Sequence, residues 1–555
     1  MPPSIINPCI AALDSIHIVP AILLVLIAVS HNSQPDLNYL EVESVLLSRD
    51  TLLKLEPPVL WCHIMECGRA CQISGTKARR VLIDSEVLAR TSLSSSNIPT
   101  IYWTRLVLSH SLLNIHVQGL GTADAYFAAR DNSIQNFWSC ITSMGMLPEL
   151  WKDIYGHRKA GAEPFLKDPT FFPVGPYGTN LLNSNDEDHA RGRGLLSHAF
   201  SEKSLREQEE LIQSYADLLV SRLNEEMLTS RNIFDLSRWY NYTTFDIIGD
   251  LAYGEPFDCL KNSEYHPWVS MVSRTSKGSA LLRAASLYPW LAPVVKASLP
   301  QETMRLRREH MELNAQKAQR RLDRKTDRPD FMTAVLKNEH QSMSGNELKA
   351  NASLFIIAGS ETTASLLSGF TYDLLENSIA YQKLKKEVRE TFQSYDGITF
   401  HAVSTLPYLN AALEEGLRCF PPVAGIFPRV VPKGGSMIDG EFVPEGTSVA
   451  GAHLATYHAE SNFAEPDSFI PERWLENKDK RFESDDLAAF APFSLGPRNC
   501  IGKNLAYAEM RVIAAKMIWT FDMRLDPSST GWNDQRSFIV WERKPLMVHL
   551  SKVLH

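Results

Sequence analysis

The sequence predicts a mainly helical protein with small β-sheets. From about residue 148 onward, long stretches of helical periodicity alternate with breaks of proline and glycine. The strongest helical stretch runs from Ser344 to about Asn377 without a proline. Strand-like stretches are short and lie mainly between Val430 and Val449. A mostly α-helical body with a small sheet component is therefore expected beyond residue 148.

The composition excludes several classes of protein. The chain has 555 residues, of which 44% are hydrophobic and 22% charged, so it is too apolar to be disordered. Its 56 basic and 64 acidic residues give a formal charge of −8, which argues against nucleic acid as a partner. Eight cysteines are too few for a disulfide scaffold, so a reducing compartment is expected. A mean hydropathy of −0.17 excludes a polytopic membrane protein but permits one anchor.

An apolar segment near the N-terminus is a candidate membrane anchor. Ile18 to Val29 is rich in Leu, Ile, Val and Ala, although Pro20 interrupts its start. A signal peptide would carry positive charge before such a run, and no Lys or Arg precedes Arg49. We therefore expect a membrane anchor near residues 16–30. The alternative is a buried or disordered extension.

The long helix carries polar residues at its centre. Ser344 and Glu347 form an S-x-x-E capping box, and about 33 residues follow, a length of roughly 50 Å. Its middle reads A-G-S-E-T-T from Ala358 to Thr363, which is costly inside an apolar helix. An isolated glycine such as Gly359 usually marks packing. A glycine that precedes a Glu-Thr pair in a buried helix also suggests a distorted helical turn that makes room for a ligand.

A loop rich in turn residues contains the decisive cysteine. The segment F-S-L-G-P-R-N-C-I-G runs from Phe493 to Gly502 and leads into an apolar-periodic helix. Cys500 would lie near the positive end of that helix, and Arg498 adds positive charge. These features favour a thiolate, which is a strong soft ligand for iron. The alternative is a free core cysteine.

Four segments together resemble one family. The loop matches the F-x-x-G-x-R-x-C-x-G haem-binding signature of cytochromes P450 at every specified position. Glu415 to Arg418 resembles the family's E-x-x-R helix, Phe469 to Trp474 its P-E-R-W segment, and Ala358 to Thr363 its oxygen-binding helix. The sequence is identified as a member over about residues 148–550. It is most similar to filamentous-fungal enzymes of secondary metabolism, including the isotrichodermin C-15 hydroxylase type.

The resemblance predicts the domain organisation. Residues 1–97 are a divergent N-terminal extension, 98–147 a divergent segment, and 148–555 the haem domain of a cytochrome P450 fold. Residues 112–147 lack the Pro-Gly-Pro hinge and strand pair of the family, so the N-terminal β-sheet is expected to be incomplete. Either this segment has diverged or the deduced protein carries a retained intron or skipped exon. The second explanation is favoured.

The resemblance also implies how haem b is held. Cys500 would be the axial thiolate and the metal ligand. Phe493 would pack beside the loop, while Gly496 and Gly502 would permit its tight backbone. A buried ion-pair triad would lock the core near the haem, and its members are Glu415, Arg418 and Arg473.

Cations for the haem propionates follow from further matches. His189 and Arg193 resemble the family's H-x-x-x-R helix, and their i, i+4 spacing places both on one helical face. Arg429 and Arg498 are the other expected partners. The alternative is that these are basic surface residues. Gly194 stands where close relatives usually carry a second arginine.

The oxygen-binding helix implies the catalytic residues. Ala358 and Gly359 would border the cofactor. Thr362 would hold a water at the distal oxygen atom, and Glu361 would relay protons to it. That pair favours a monooxygenase over the family's isomerases and dehydratases. The alternative for Thr362 is a hydroxyl that merely bonds back to its own helix.

The expected partners follow from what the chain lacks. It has no flavin or nicotinamide motif, so electrons must come from another protein. The resemblance implies an NADPH-cytochrome P450 reductase that docks on the cysteine side, with Lys503 and Lys433 as candidate contacts. The enzyme would lie at the cytosolic face of the endoplasmic reticulum membrane.

The expected activity is the insertion of one oxygen atom from O2 into a bulky hydrophobic metabolite. Pocket candidates are apolar and aromatic, and they comprise residues 171–182, Leu354, Phe355, Ala358 and residues 425–427. A terpenoid or polyketide-derived substrate, hydroxylated or epoxidised, is expected. The alternatives are a non-catalytic or defective haem-binding protein and an O2-independent isomerase or dehydratase of the same fold.

Overall fold

A computed structural model of the chain describes most of the sequence beyond residue 148. The described residues are 125–126, 143–144, 148–159, 161–229, 232–266, 301–324, 326, 328–336, 343–538 and 540–555. The expected anchor at 16–30 and the boundary at 97 lie outside the described residues. The domain boundary near 147 and the proposed splicing error stay predictions.

Helices dominate the described residues, as predicted. In chain order they are α1 (Pro148–Tyr155), α2 (Asp186–Ser197), α3 (Glu202–Glu207), α4 (Glu209–Thr229), α5 (Leu236–Tyr253), α6 (Cys259–Asn262), α7 (Gln301–Asp323), α8 (Phe331–Leu336), α9 (Gly345–Glu376), α10 (Ser378–Thr391), α11 (Phe400–Ser404), α12 (Pro407–Cys419), α13 (His453–Tyr457) and α14 (Lys503–Thr520). No helix in the described ranges has the length and apolar composition needed to cross a membrane.

The strands are short and antiparallel. They are β1 (Ala125–Tyr126), β2 (Ser143–Met144), β3 (Leu166–Lys167), β4 (Ile233–Asp235), β5 (Arg429–Val430), β6 (Ser436–Ile438), β7 (Glu441–Val443), β8 (Ser448–Val449), β9 (Phe521–Leu525) and β10 (Met547–Lys552). The sheet orders are β4-β10-β9 and β3-β5-β8, with two further pairs, β1-β2 and β6-β7. In the β3-β5-β8 sheet Arg429 pairs with both Lys167 and Val449. The strand region predicted between 430 and 449 is confirmed.

The long helix α9 lies at the centre of the core and packs closely on α5. Its first turn has the predicted capping box, in which Ser344 and Glu347 bond each other's backbone N–H groups. The helix is continuous through the polar segment, so the expected distorted turn is absent there. Gly359 instead serves packing, because a Cβ at this position would come within 2.6 Å of the Ile248 side chain of α5.

A buried histidine ties the short helix α13 to α1 and predicts acid sensitivity. Nδ1 of His453 lies 2.9 Å from the Tyr457 hydroxyl, and its ring lies 4.6 Å from that of Trp151. Burial lowers the pKa of His453 to about 4. As the pH falls from about 6.5 to about 4, the imidazole of His453 is protonated in the unfolded state but not in the folded state. The folded state therefore loses about 3 kcal/mol of stability over that range.

His453→Gln should remove this part of the pH dependence, because glutamine does not titrate. The measurement is the free energy of urea unfolding across that pH range, compared with wild type. His401→Gln, at an exposed position of α11, is the matched control. If the free energy of unfolding changed equally with pH in wild type and His453→Gln, the histidine would not be the cause of the stability loss in acid.

Candidate functional site

The cysteine loop is held against α1 and opens into an internal space. Its 3-10 turn, Gly496–Arg498, precedes Cys500, whose N–H donates to the Phe493 carbonyl at 2.9 Å. Burial raises the pKa of the Cys500 thiol, while the Gly502 N–H and the charge of Arg193 act to lower it. The side chain is nevertheless exposed, so it borders open space inside the protein.

The electrostatics of Cys500 differ from the sequence-based expectation. We expected the helix terminus and Arg498 to favour a thiolate in the free protein. The guanidinium of Arg498 is instead paired with Asp186, and burial outweighs the favourable groups. Binding of a metal cation would supply the missing stabilisation, since metal binding and thiol deprotonation are coupled.

Glycine is sterically required at one of the two predicted loop positions. Gly496 has a φ of +68°, and a Cβ there would lie 2.1 Å from the Tyr155 carbonyl oxygen. At Gly502 the nearest atoms to a Cβ are 3.9 Å away, including Sγ of Cys500. The close approach of α1 therefore explains Gly496 but not Gly502.

We expect Gly496→Ala to displace the cysteine loop and to abolish haem binding, whereas Gly502→Ala should retain it. Both a left-handed backbone and a backbone clash oppose the first substitution. The ratio of bound haem to protein after purification distinguishes the two variants. Equal haem content in both would contradict the steric role of Gly496.

Four basic residues predicted from the sequence lie near this loop. They are His189, Arg193, Arg429 and Arg498. His189 and Arg193 lie on α2, and Arg193 donates to the Asn499 carbonyl at 2.6 Å. Arg498 donates to Asp186 at 2.9 Å and to the Ser184 carbonyl at 2.8 Å. Burial and the charges of Arg498 and Arg193 lower the pKa of His189 to about 4, which makes it neutral at physiological pH.

Two of these cations have buried nitrogen atoms without partners. Nε of Arg429 and Nη1 of Arg498 make no hydrogen bond. Burial lowers the pKa of Arg429 to about 10, and the charge of Arg498 acts in the same direction. A buried cation without a counter-ion is costly, so this cluster suits an anionic ligand. The carboxylates of haem have the required charge.

The predicted triad forms a buried network. Nε of Arg418 donates to Glu415 at 2.9 Å, and Nε of Arg473 donates to the same carboxylate at 3.0 Å. All three side chains are fully buried. Although burial acts to raise it, the charges of Arg418 and Arg473 hold the pKa of Glu415 below its usual value.

Two members of this network were missed by sequence reasoning. Nη1 of Arg473 donates to Asp485 at 2.6 Å, and the Trp474 indole N–H donates to Glu415 at 2.8 Å. The network thus holds two carboxylates and two guanidiniums, so its formal charges balance. Trp474 belongs to the P-E-R-W motif and was recoverable, whereas Asp485 has no local signal.

The polar centre of α9 contains an exposed position. Ala358 is exposed although most of the helix around it is buried. The Thr362 hydroxyl donates to the Ala358 carbonyl at 2.6 Å, the back-bond that was considered as an alternative. Its oxygen lone pairs remain available to accept a hydrogen bond from a water.

Glu361 is paired with an arginine that sequence reasoning did not find. Nη2 of Arg543 lies 3.0 Å and 3.2 Å from the two carboxylate oxygens, and both side chains are buried. Glu361 also lies about 100° around the helix from Thr362. A proton relay through Glu361 therefore requires its carboxylate to leave Arg543.

A second buried acid lies beside this helix. Glu509 of α14 is hydrogen-bonded to Thr363, and burial raises its pKa to about 8. It is therefore mostly protonated at neutral pH. Its position nine residues after Cys500 carries no signal that composition or periodicity could reveal.

The predicted pocket residues separate into two groups. Phe355 is buried and packs on Phe200 and Phe331 within the core, and its assignment to the pocket stays a prediction. Phe172 and Phe427 stack with ring centroids 5.9 Å apart, on the side of the basic cluster.

The cytochrome P450 family model matches residues 141–550, most of the chain. This chain belongs to the cytochrome P450 family. The family's cofactor is haem with a thiolate ligand, and the exposed Cys500 and the unpartnered buried cations fit that group. P450 monooxygenases use O2, a redox partner and a small-molecule substrate.

Curated relatives of this P450 include fungal enzymes. It is 47% identical over 406 residues to the cytochrome P450 monooxygenase astJ of Aspergillus oryzae, covering 73% of this chain and 81% of that protein. It is 44% identical over 409 residues to the cytochrome P450 monooxygenase efuB of Hormonema carpetanum, with 73% and 81% covered. The trichothecene C-15 hydroxylase of Fusarium sporotrichioides is 44% identical over 408 residues, covering 73% of this chain and 82% of that protein. The protein is therefore an oxidoreductase related to fungal monooxygenases of secondary metabolism.

Proposed function

We propose that this P450 binds haem b through Cys500 and inserts one oxygen atom from O2 into a bulky hydrophobic secondary metabolite. One observation carries the proposal. The thiol of Cys500 is exposed, and the nearby Arg429 and Arg498 each have a buried nitrogen without a hydrogen-bond partner. When bound, haem supplies the iron that activates O2. The protein's own residues hold the cofactor and control access of protons.

Each predicted cofactor residue has a separate task in this proposal. Gly496 lets the cysteine loop approach α1. Phe493 packs beside the loop, with its ring centroid 5.1 Å from that of Tyr507. Arg429 and Arg498 neutralise propionate charge, while neutral His189 serves as a hydrogen-bond partner. The network centred on Glu415 joins α12 to the segment that precedes the loop.

Thr362 and Glu361 control the proton supply in this proposal. Thr362 would hold a water, because its hydroxyl donates backwards to the Ala358 carbonyl and its oxygen can still accept a hydrogen bond. Glu361 delivers protons from the protein interior when its carboxylate separates from Arg543. Arg543 is thus a positioning residue for this acid.

The substrate and the electron donor are inferred from chemistry and from the relatives. A terpenoid or polyketide-derived molecule suits the aromatic residues Phe172 and Phe427. The trichothecene C-15 hydroxylase among the relatives supports hydroxylation as the reaction. An NADPH-cytochrome P450 reductase would approach the cysteine side, where Lys503 is exposed, at the cytosolic face of the endoplasmic reticulum. Lys433 is exposed as well.

The test is a reconstitution with a fungal NADPH-cytochrome P450 reductase, NADPH and extracts containing candidate terpenoids and polyketides. We expect a product that carries one atom of isotopically labelled O2, formed only with NADPH. A haem-loaded protein that forms no product from any extract would favour the non-catalytic alternative. Product formed without O2 would favour an isomerase or dehydratase.

A further inference from the structure

Lys167 lies beside the basic cluster but belongs to none of the recognised motifs. It is on β3, directly paired with Arg429 of β5. Its ammonium nitrogen lies 4.5 Å from the centroid of the Phe172 ring and 5.4 Å from that of Phe427. Cation–π contacts with two rings therefore hold its position.

Carboxylates near Lys167 already have other partners. Asp168 accepts from the Ser448 hydroxyl at 2.7 Å and from the Thr170 N–H at 2.9 Å. Asp186 is paired with Arg498. Among the described residues, none forms an ion pair with Lys167, and its charged neighbours are the cations Arg429 and Arg498.

The three cations carry more positive charge than Asp186, which is paired with Arg498, can neutralise. Burial, together with the charges of Arg429 and Arg498, lowers the pKa of Lys167 well below its usual value. Arg429 is 4% exposed and its Nε has no partner, nor has the buried Nη1 of Arg498. An anion with several acceptor oxygens would stabilise these neighbouring positive charges.

We propose that Lys167, Arg429 and Arg498 together bind a carboxylate group, with Lys167 as the member that no motif identifies. The inference rests on the proposed function, because haem binding at Cys500 defines the internal space. Two molecules could supply the carboxylate, a haem propionate or an acidic substrate whose apolar body lies against Phe172 and Phe427. Lysine suits either one, since its ammonium donates three hydrogen bonds to acceptor oxygens.

The first arm of the test addresses the propionate. Lys167→Gln removes the charge and Lys167→Arg keeps it, and both are compared with Lys203→Gln at an exposed position of α3. We expect haem transfer to excess apomyoglobin to be about tenfold faster in Lys167→Gln, which corresponds to about 1.4 kcal/mol. The haem reduction potential should fall in the same variant, because a nearby positive charge is lost. Lys167→Arg should restore both quantities.

The second arm addresses a carboxylate from the substrate. Haem spectra are titrated with dodecanoic acid and with dodecanol, which differ in charge but not in chain length. The carboxylate belongs to the substrate if Lys167→Gln binds dodecanoic acid about tenfold more weakly than wild type, while its dodecanol binding and haem transfer are unchanged.

The proposal is overturned if Lys167→Gln and Lys203→Gln behave alike in both arms. That failure leaves the carbon monoxide spectrum of the wild-type protein intact. Failure of the proposed function would remove the thiolate spectrum itself, so the two failures are distinguishable.

Discussion

Arg473→Ala should leave a protein that folds poorly and retains little haem. The substitution removes the hydrogen bonds from Arg473 to Glu415 and Asp485. The buried carboxylate of Asp485 then lacks its cationic partner. Removing one partner of a buried network costs about 3–5 kcal/mol. That is a large share of the roughly 5–15 kcal/mol that stabilises a typical domain. Haem content and urea unfolding measure the two effects.

A second arginine nearby supplies the control. Arg481 pairs with Glu465, and both side chains are about half exposed, so its loss should cost at most about 1 kcal/mol. Arg481→Ala should therefore keep its haem. If Arg473→Ala kept full haem content and lost no more stability than Arg481→Ala, the network would not be what holds the core near the cysteine loop.

Thr362→Ala should uncouple NADPH consumption from product formation. Without the hydroxyl, no side chain at this position would hold a water for proton delivery, so electrons from NADPH would reduce O2 to hydrogen peroxide instead of forming product. General acid–base catalysis contributes about 10²-fold or more, so product per NADPH should fall by about two orders of magnitude. Product and peroxide are measured in the same reaction with reductase.

Thr362→Ser separates catalysis from helix structure. Serine keeps the hydroxyl, so it should retain most of the coupling, whereas a purely structural threonine would show no such distinction. Full coupling in Thr362→Ala would assign the hydroxyl to its bond with the Ala358 carbonyl alone.

Local sequence rules located the elements that carry the site. The capping box placed the start of α9 within one residue, and the glycine–arginine–cysteine pattern located the loop before α14. These features depend on residues close in sequence, where backbone propensity and capping chemistry act. The family resemblance then supplied roles that periodicity alone cannot.

Partners that are distant in sequence were not predictable in the same way. Arg543 meets Glu361 across 182 residues, and Lys167 reaches the basic cluster only because β3 pairs with β5. Neither residue belongs to a motif, and a charged residue in isolation is more often solvated than buried. The contact between the rings of Phe355 and Phe200 was not predictable either, because position in the helix does not reveal which distant residue a side chain meets.

The direct test of thiolate ligation is the absorption spectrum of the reduced protein with carbon monoxide. We expect a strongly red-shifted Soret band in wild type and its loss in Cys500→Ser, with the buried Cys259→Ser as control. A wild-type protein that lacks this band despite ample haem, or an unchanged band in Cys500→Ser, would contradict the assignment of Cys500 as the iron ligand.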